Sequence, residues 1–131
     1  MIDDKTMGIL EQSGFFGIII QEGVTYGSGY TVYNRFVFSC KDKQVLNYVK
    51  KQFDKNDIKY NNNDESIRIT RNAEIKKFVE MVSNKFISDV RNKEVGVILQ
   101  CLDYKSQEMH KFPEYRKKFE YLQDKMKKVR E

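Results

Sequence analysis

Between Gly14 and Asp42 the chain reads GFFGIIIQEGVTYGSGYTVYNRFVFSCKD, two β-rich stretches around a glycine-bearing loop at Gly27 and Gly29. Branched and aromatic residues at this density suit a pleated surface, and glycines between two such stretches predict a hairpin with a long loop. The second stretch shows its two sides. Val32, Phe36 and Phe38 share one parity, suited to a core, which turns Thr31, Tyr33, Arg35 and Val37 the other way. The first stretch alternates less well: Ile18, Ile19 and Ile20 run on, so Ile19 falls on the polar side, where Gln21 is the one clear polar residue. A hairpin of this kind needs helices to cover its apolar side.

The rest of the chain provides them. Asp3 to Ser13, with Asp4 as a candidate cap and apolar Met7, Ile9 and Leu10, reads as a helix. Lys43 to Phe53 places Val45, Leu46, Val49 and Phe53 at helical spacing. A second strand pair follows, DIKY and ESIRIT, joined by a turn of Asn61, Asn62, Asn63 and Asp64. Here Ile58, Tyr60, Ile67 and Ile69 point inward, while Lys59, Asn61, Ser66, Arg68 and Thr70 point outward. Ala73 to Phe86 carries Ile75, Phe78, Val79, Val82 and Phe86 as another one-sided stripe. Two further helices are predicted at Asn92–Leu102 and from Pro113 to Val129. The stripe of the second one (Tyr115, Phe119, Leu122, Met126, Val129) is expected to dock on this domain. The reading is α+β: one domain over 1–131, an αββαββα core with a four-stranded antiparallel sheet, and additional C-terminal helices.

Charge points to the partner. Lysine and arginine number 24 against 19 acidic residues, a net charge of +5 spread along the chain, which favours a polyanion. Other chemistries recede. His110 is the only histidine, and Cys40 and Cys101 lie far apart without a metal-type spacing, so a zinc centre, a disulfide framework and histidine catalysis are not expected. No apolar run approaches the roughly 20 residues of a membrane span, and the acidic start MIDDKTM is unlike a signal peptide. An intracellular location in a reducing compartment is therefore expected. The abundance of Lys, Asn, Ile and Tyr suits an AT-rich genome, such as that of an organelle (mitochondrion or chloroplast) or a phage, with a bacterial cytoplasm as the other candidate.

The residues Met7-Gly8-Ile9-Leu10-Glu11-Gln12-Ser13-Gly14 resemble the LAGLIDADG motif of homing endonucleases. Gly8 and Gly14 fall on its two glycines, Glu11 on its first acidic position and Ser13 on its second. The element order agrees, and RFVFSCKDKQVLNYVKKQF is similar to the family's second strand leading into its next helix.

The resemblance implies a curved sheet lying in the major groove of double-stranded DNA. Its reading residues would be Gln21, Thr31, Tyr33, Arg35, Lys59, Asn61, Ser66, Arg68 and Thr70. One motif copy implies a homodimer whose seam is formed by Met7, Gly8, Leu10 and Glu11. The resemblance also implies a catalytic end built around Ser13 and Glu11, with Cys40 where the family has glutamine and Arg91 or Lys93 where it has lysine. The second acidic position binds Mg²⁺ in the family. A serine hydroxyl is a poor ligand for that hard cation, so no metal is expected with Ser13 in place, and Mg²⁺ only if the chain is active. Three readings of Ser13 stay open: a binder that lost cutting, a chain altered to stop cleavage, or an enzyme using another carboxylate such as Glu22 or Asp42. The expected function is sequence-specific DNA binding by a homodimer, with Mg²⁺-dependent cleavage in question. The alternative is an RNA-binding, maturase-like or ribonucleoprotein-associated role, with Tyr30 and Tyr33 as stacking platforms.

Overall fold

The computed structural model describes residues 1–131. The elements run α1 (Asp4–Ser13), β1 (Gly14–Glu22), β2 (Tyr30–Ser39), α2 (Lys43–Lys55), β3 (Asn61–Asn62), β4 (Ser66–Ile69), α3 (Asn72–Val82), α4 (Asp89–Ser106), two short 3-10 turns (Met109–Lys111 and Pro113–Tyr115) and α5 (Arg116–Arg130). The α+β order αββαββα followed by further helices is as expected. The strands form one antiparallel sheet in the order β1-β2-β4-β3, so β2 and β4 are its middle strands. No helix is long and apolar enough to cross a membrane.

The alternation of β2 sets the layering. Tyr30, Val32, Asn34, Phe36 and Phe38 are buried while Tyr33 and Ser39 are exposed, and β4 continues the pattern with Ile67 and Ile69 inward and Arg68 outward. The inward residues join one cluster of 29 buried side chains with Leu46, Val49 and Phe53 of α2, Ile75, Phe78 and Val79 of α3, Val95 and Ile98 of α4, and Phe119, Leu122 and Met126 of α5. The stripe of α5 thus docks on this chain. Four aromatic rings form the centre: Phe36 lies 4.7 Å from both Phe16 and Phe78, and Phe78 lies 5.5 Å from Phe53. Helices cover one side of the sheet and leave the other uncovered.

Several details differ from expectation. The cap of α1 is Asp3, whose Oδ1 accepts from the Thr6 amide at 2.8 Å, and Asp4 is the first helical residue. Hydrogen bonds from Thr6 and Tyr48 hold the Asp3 carboxyl below its usual range. Asn61 and Asn62 are not turn residues but pair with Arg68 and Ile67, and the turn begins at Asn63. Ser66, expected outward, is 6% exposed: its amide donates to Asn63 Oδ1 at 2.9 Å, and the turn folds this small side chain away from solvent. Helix α3 stops at Val82, before Asn84 with its φ of 60°, so Phe86 enters the core from a loop.

Two glycines of α1 and its exit serve different ends. Gly14 has φ −85° and ψ 153°, which any residue adopts, yet a Cβ there would meet Phe36 Cζ at 2.4 Å and the Leu10 carbonyl at 2.5 Å. The requirement is for space. Around Gly8 a Cβ would meet nothing within 4 Å. Gly14→Ala is therefore expected to destabilise by roughly 3 kcal/mol through overpacking. Gly8→Ala in the isolated chain is expected to stabilise by about 0.5–1 kcal/mol through helix propensity. Urea unfolding of both variants checks the contrast, and equal effects would contradict it.

Candidate nucleic-acid interface

The uncovered face of the sheet is organised by strand register. Phe15 pairs with Val37, Val37 with Arg68, and Arg68 with Asn61, giving one outward row across all four strands. Towards the hairpin loop follow Gly17 opposite Arg35, Ile19 opposite Tyr33, and Gln21 opposite Thr31. The expected residues Gln21, Thr31, Tyr33, Arg35, Asn61 and Arg68 therefore do share this face. Thr70 lies just past β4 and accepts from Asn61 Nδ2 at 3.5 Å, while Lys59 lies exposed before β3. Of the residues assigned to the face, only Ser66 is withdrawn from it.

The cations of this face form no ion pairs, although Asp54 and Asp57 line its β3 end. Arg35, Lys59 and Arg68 have no carboxylate within 4.0 Å, although the chain forms seven ion pairs elsewhere. Arg35 lies across Gly17, where a Cβ would stand 3.3 Å from its Cγ and Nε, and that Nε is buried without a partner. Any larger residue at 17 would displace the arginine. At the β3 end, a cleft of about 480 Å³ is lined by Asp54, Lys59, Tyr60, Arg68, Thr70 and Arg71 among others. Burial, with help from Asp54, pushes the Tyr60 hydroxyl up to about 12, so it stays a neutral phenol. Sequence does not single out Arg71 or Phe15: Arg71 lies just past the alternating segment, and Phe15 reads as ordinary core, although it is 43% exposed.

The C-terminal end of α1 is a second cluster. Glu11 Oε1 accepts from the amides of Ile87 at 2.6 Å and Ser88 at 3.4 Å, and its carbonyl accepts from Arg91 Nε at 2.9 Å. Arg91 and Arg130 both reach the fully buried Glu94, each at 3.0 Å. Arg130 also donates to the Phe16 carbonyl and lies over the Phe15 ring, 4.3 Å from its centroid. Three separate segments are locked together here. Ser13 is exposed beside them.

No protein-family model matches this sequence, and no curated protein matches it significantly. Solved structures do match. The homing endonuclease I-TnaI superposes with a TM-score of 0.80 over 97% of this chain and 92% of its own, at 16% identity. The archaeal intron-encoded homing endonuclease I-Vdi141I, complexed with DNA, gives 0.79 over 97% and 82%, also at 16% identity. The LAGLIDADG meganuclease I-AabMI, bound to uncleaved DNA, gives 0.75 over 92% of this chain at 18% identity. The fold is that of the LAGLIDADG homing endonucleases. The chain spans 44% of I-AabMI, less than half of that protein's length.

Placed in this LAGLIDADG-type fold, the remaining candidates separate. Met7 and Leu10, expected at a dimer seam, are 8% and 1% exposed and belong to the core of this chain. At about 100° per residue, helical spacing instead puts the exposed Lys5, Gly8 and Gln12 on the free side of α1. Glu11 is half-buried and occupied by the loop before α4. Arg91 meets the motif end, whereas Lys93, two residues on, is exposed and outside that network.

The donor set does not suit Mg²⁺. Ser13 offers a neutral hydroxyl and Glu11 is engaged with backbone amides. The substitutes considered above are occupied elsewhere: Glu22 sits at the far end of β1 in an ion pair with Arg116, and Asp42 caps α2 by accepting from Gln44 and Val45. Cys40 is a free, half-buried thiol.

Proposed function

We propose that this chain binds double-stranded DNA through the uncovered face of its sheet, as a homodimer joined at the Gly8 side of α1, and that it does so without cutting. The observation that carries the reading is the set of three unpaired cations, Arg35, Lys59 and Arg68, on the one face no helix covers. The major groove admits a β-ribbon, and Arg and Asn can make bidentate bonds to guanine and adenine there. Arg35, Arg68 and Asn61 are of those types. The DNA complexes of I-Vdi141I and I-AabMI support the same reading. The dimer rests on the open surface around Gly8, where a second helix could approach closely. The absence of cleavage rests on Ser13 and on the engagement of Glu11 described above.

The RNA alternative is weakened at one residue. Tyr30 is 2% exposed, and its hydroxyl donates to the Phe112 carbonyl at 2.8 Å, so only Tyr33 remains to stack a base.

Fluorescence anisotropy with a random-sequence duplex of about 30 base pairs tests the reading. Affinity should fall steeply with salt, the slope of log K against log salt being roughly −0.9 per phosphate neutralised. Sedimentation should give a dimer that Gly8→Leu converts to a monomer. A salt-independent affinity would remove the DNA reading, and a wild-type monomer would remove the seam.

A further inference from the structure

On the helical side of the molecule, Lys105 is an anomaly. It is 8% exposed, and its Nζ donates to Asn72 Oδ1 at 2.8 Å and to Asn34 Oδ1 at 3.2 Å. These are neutral amide oxygens. No carboxylate lies within 4.0 Å, so the one buried lysine of the chain has no counterion. An ammonium taken out of water without a paired charge is strongly disfavoured, and two acceptors use only two of its three donors.

The neighbours do not supply the missing charge. Burial pushes the Cys101 thiol up, so it is not a thiolate at ordinary pH, and burial with the nearby Lys105 keeps His110 low and neutral. Asp103 accepts from Gln107 Nε2 at 3.1 Å and is not within ion-pair distance of Lys105. Burial pulls Lys105 itself down, the direction expected for a cation without a partner.

Lys105 and Asn72 line a groove of about 380 Å³ between the start of α3 and the end of α4. Its walls include the apolar Ala73, Leu99 and Leu102, and two further charged residues, Lys76 and Asp103, so the two lysines leave the lining net positive. We propose that this groove binds a small organic anion, a carboxylate or phosphate on a short apolar body, whose charge pairs with the Lys105 ammonium while its body lies on the two leucines. The site is on the opposite side of the sheet from the DNA face and does not depend on the DNA reading.

The test uses the whole chain, calorimetric titration and thermal melts at fixed ionic strength, with hexanoate, phenyl phosphate, inorganic phosphate and neutral hexanol as probes. Hexanoate or phenyl phosphate should bind saturably and raise the melting temperature, with phosphate weaker and hexanol without effect. Which of the two binds more tightly separates the carboxylate from the phosphate source. Lys105→Met should fold and weaken the preferred anion at least roughly tenfold, as loss of a charge-assisted bond requires. No saturable binding by either amphiphilic anion, an equal response to hexanol, or undiminished binding in Lys105→Met would each overturn the proposal. Should Lys105→Met not fold, the wild-type comparison of hexanoate with hexanol still decides it.

Discussion

Phe36→Ala is expected to lower the unfolding free energy by about 3–5 kcal/mol, the usual range for deleting a buried ring. Phe36 is fully buried in β2 and touches the rings of both Phe16 and Phe78, so its loss opens a void that a strand and a helix would have to close together. Strand β2 is paired on both sides and cannot shift to fill it. Since a domain of this kind has only about 5–15 kcal/mol in total, the variant should be partly unfolded on warming. Urea titration should show a lower midpoint with an unchanged slope. A loss below about 1 kcal/mol would mean that the aromatic centre is loosely packed.

The double substitution Arg35→Gln and Arg68→Gln should weaken the hold of each protomer on the duplex by roughly 30-fold to 10⁴-fold, from about 1–3 kcal/mol for each arginine that reaches a base or phosphate. In the proposed dimer the pair removes two cations from each protomer, so the salt slope should flatten by up to roughly four phosphates' worth. A control separates local contact from overall charge: Lys117→Gln with Lys118→Gln removes the same two charges from exposed positions on α5, away from the sheet face. That pair should change affinity only about two- to threefold, as screened distant charges do. Equal losses in both pairs would reduce the interface to unspecific net charge. Folding of the arginine variant is expected to match the wild type, because Arg35 and Arg68 hold no ion pair, and the control should lose only the exposed contacts of Lys118 over the Tyr104 and Tyr115 rings.

The alternation in β2 and β4 was enough to place Arg35 and Arg68 on the free face, because side-chain parity follows directly from the pleat. The same rule fails at Ser66, where the adjoining turn from Asn63 decides exposure and parity does not. Motif position places Met7 and Leu10 at a seam, although their apolar character and i, i+3 spacing point to the core; Gly8 with Lys5 and Gln12 is the free side of that helix. Asn34 and Lys105 gave no signal in sequence. They are 71 residues apart and meet only because α4 packs beneath β2. The link between Glu94 and Arg130 is likewise invisible locally, since 36 residues and the whole of the last helix separate its partners. Short-range periodicity was legible, and polar contacts made across elements were not.

The most direct measurement is photocrosslinking of the protein to a duplex carrying 5-bromodeoxyuridine, followed by peptide mapping. Adducts on the peptides of β2 and β4, with Tyr33 prominent among them, are the expected result. Adducts confined to α3, α4 and α5 would place the duplex on the helical side and contradict the account.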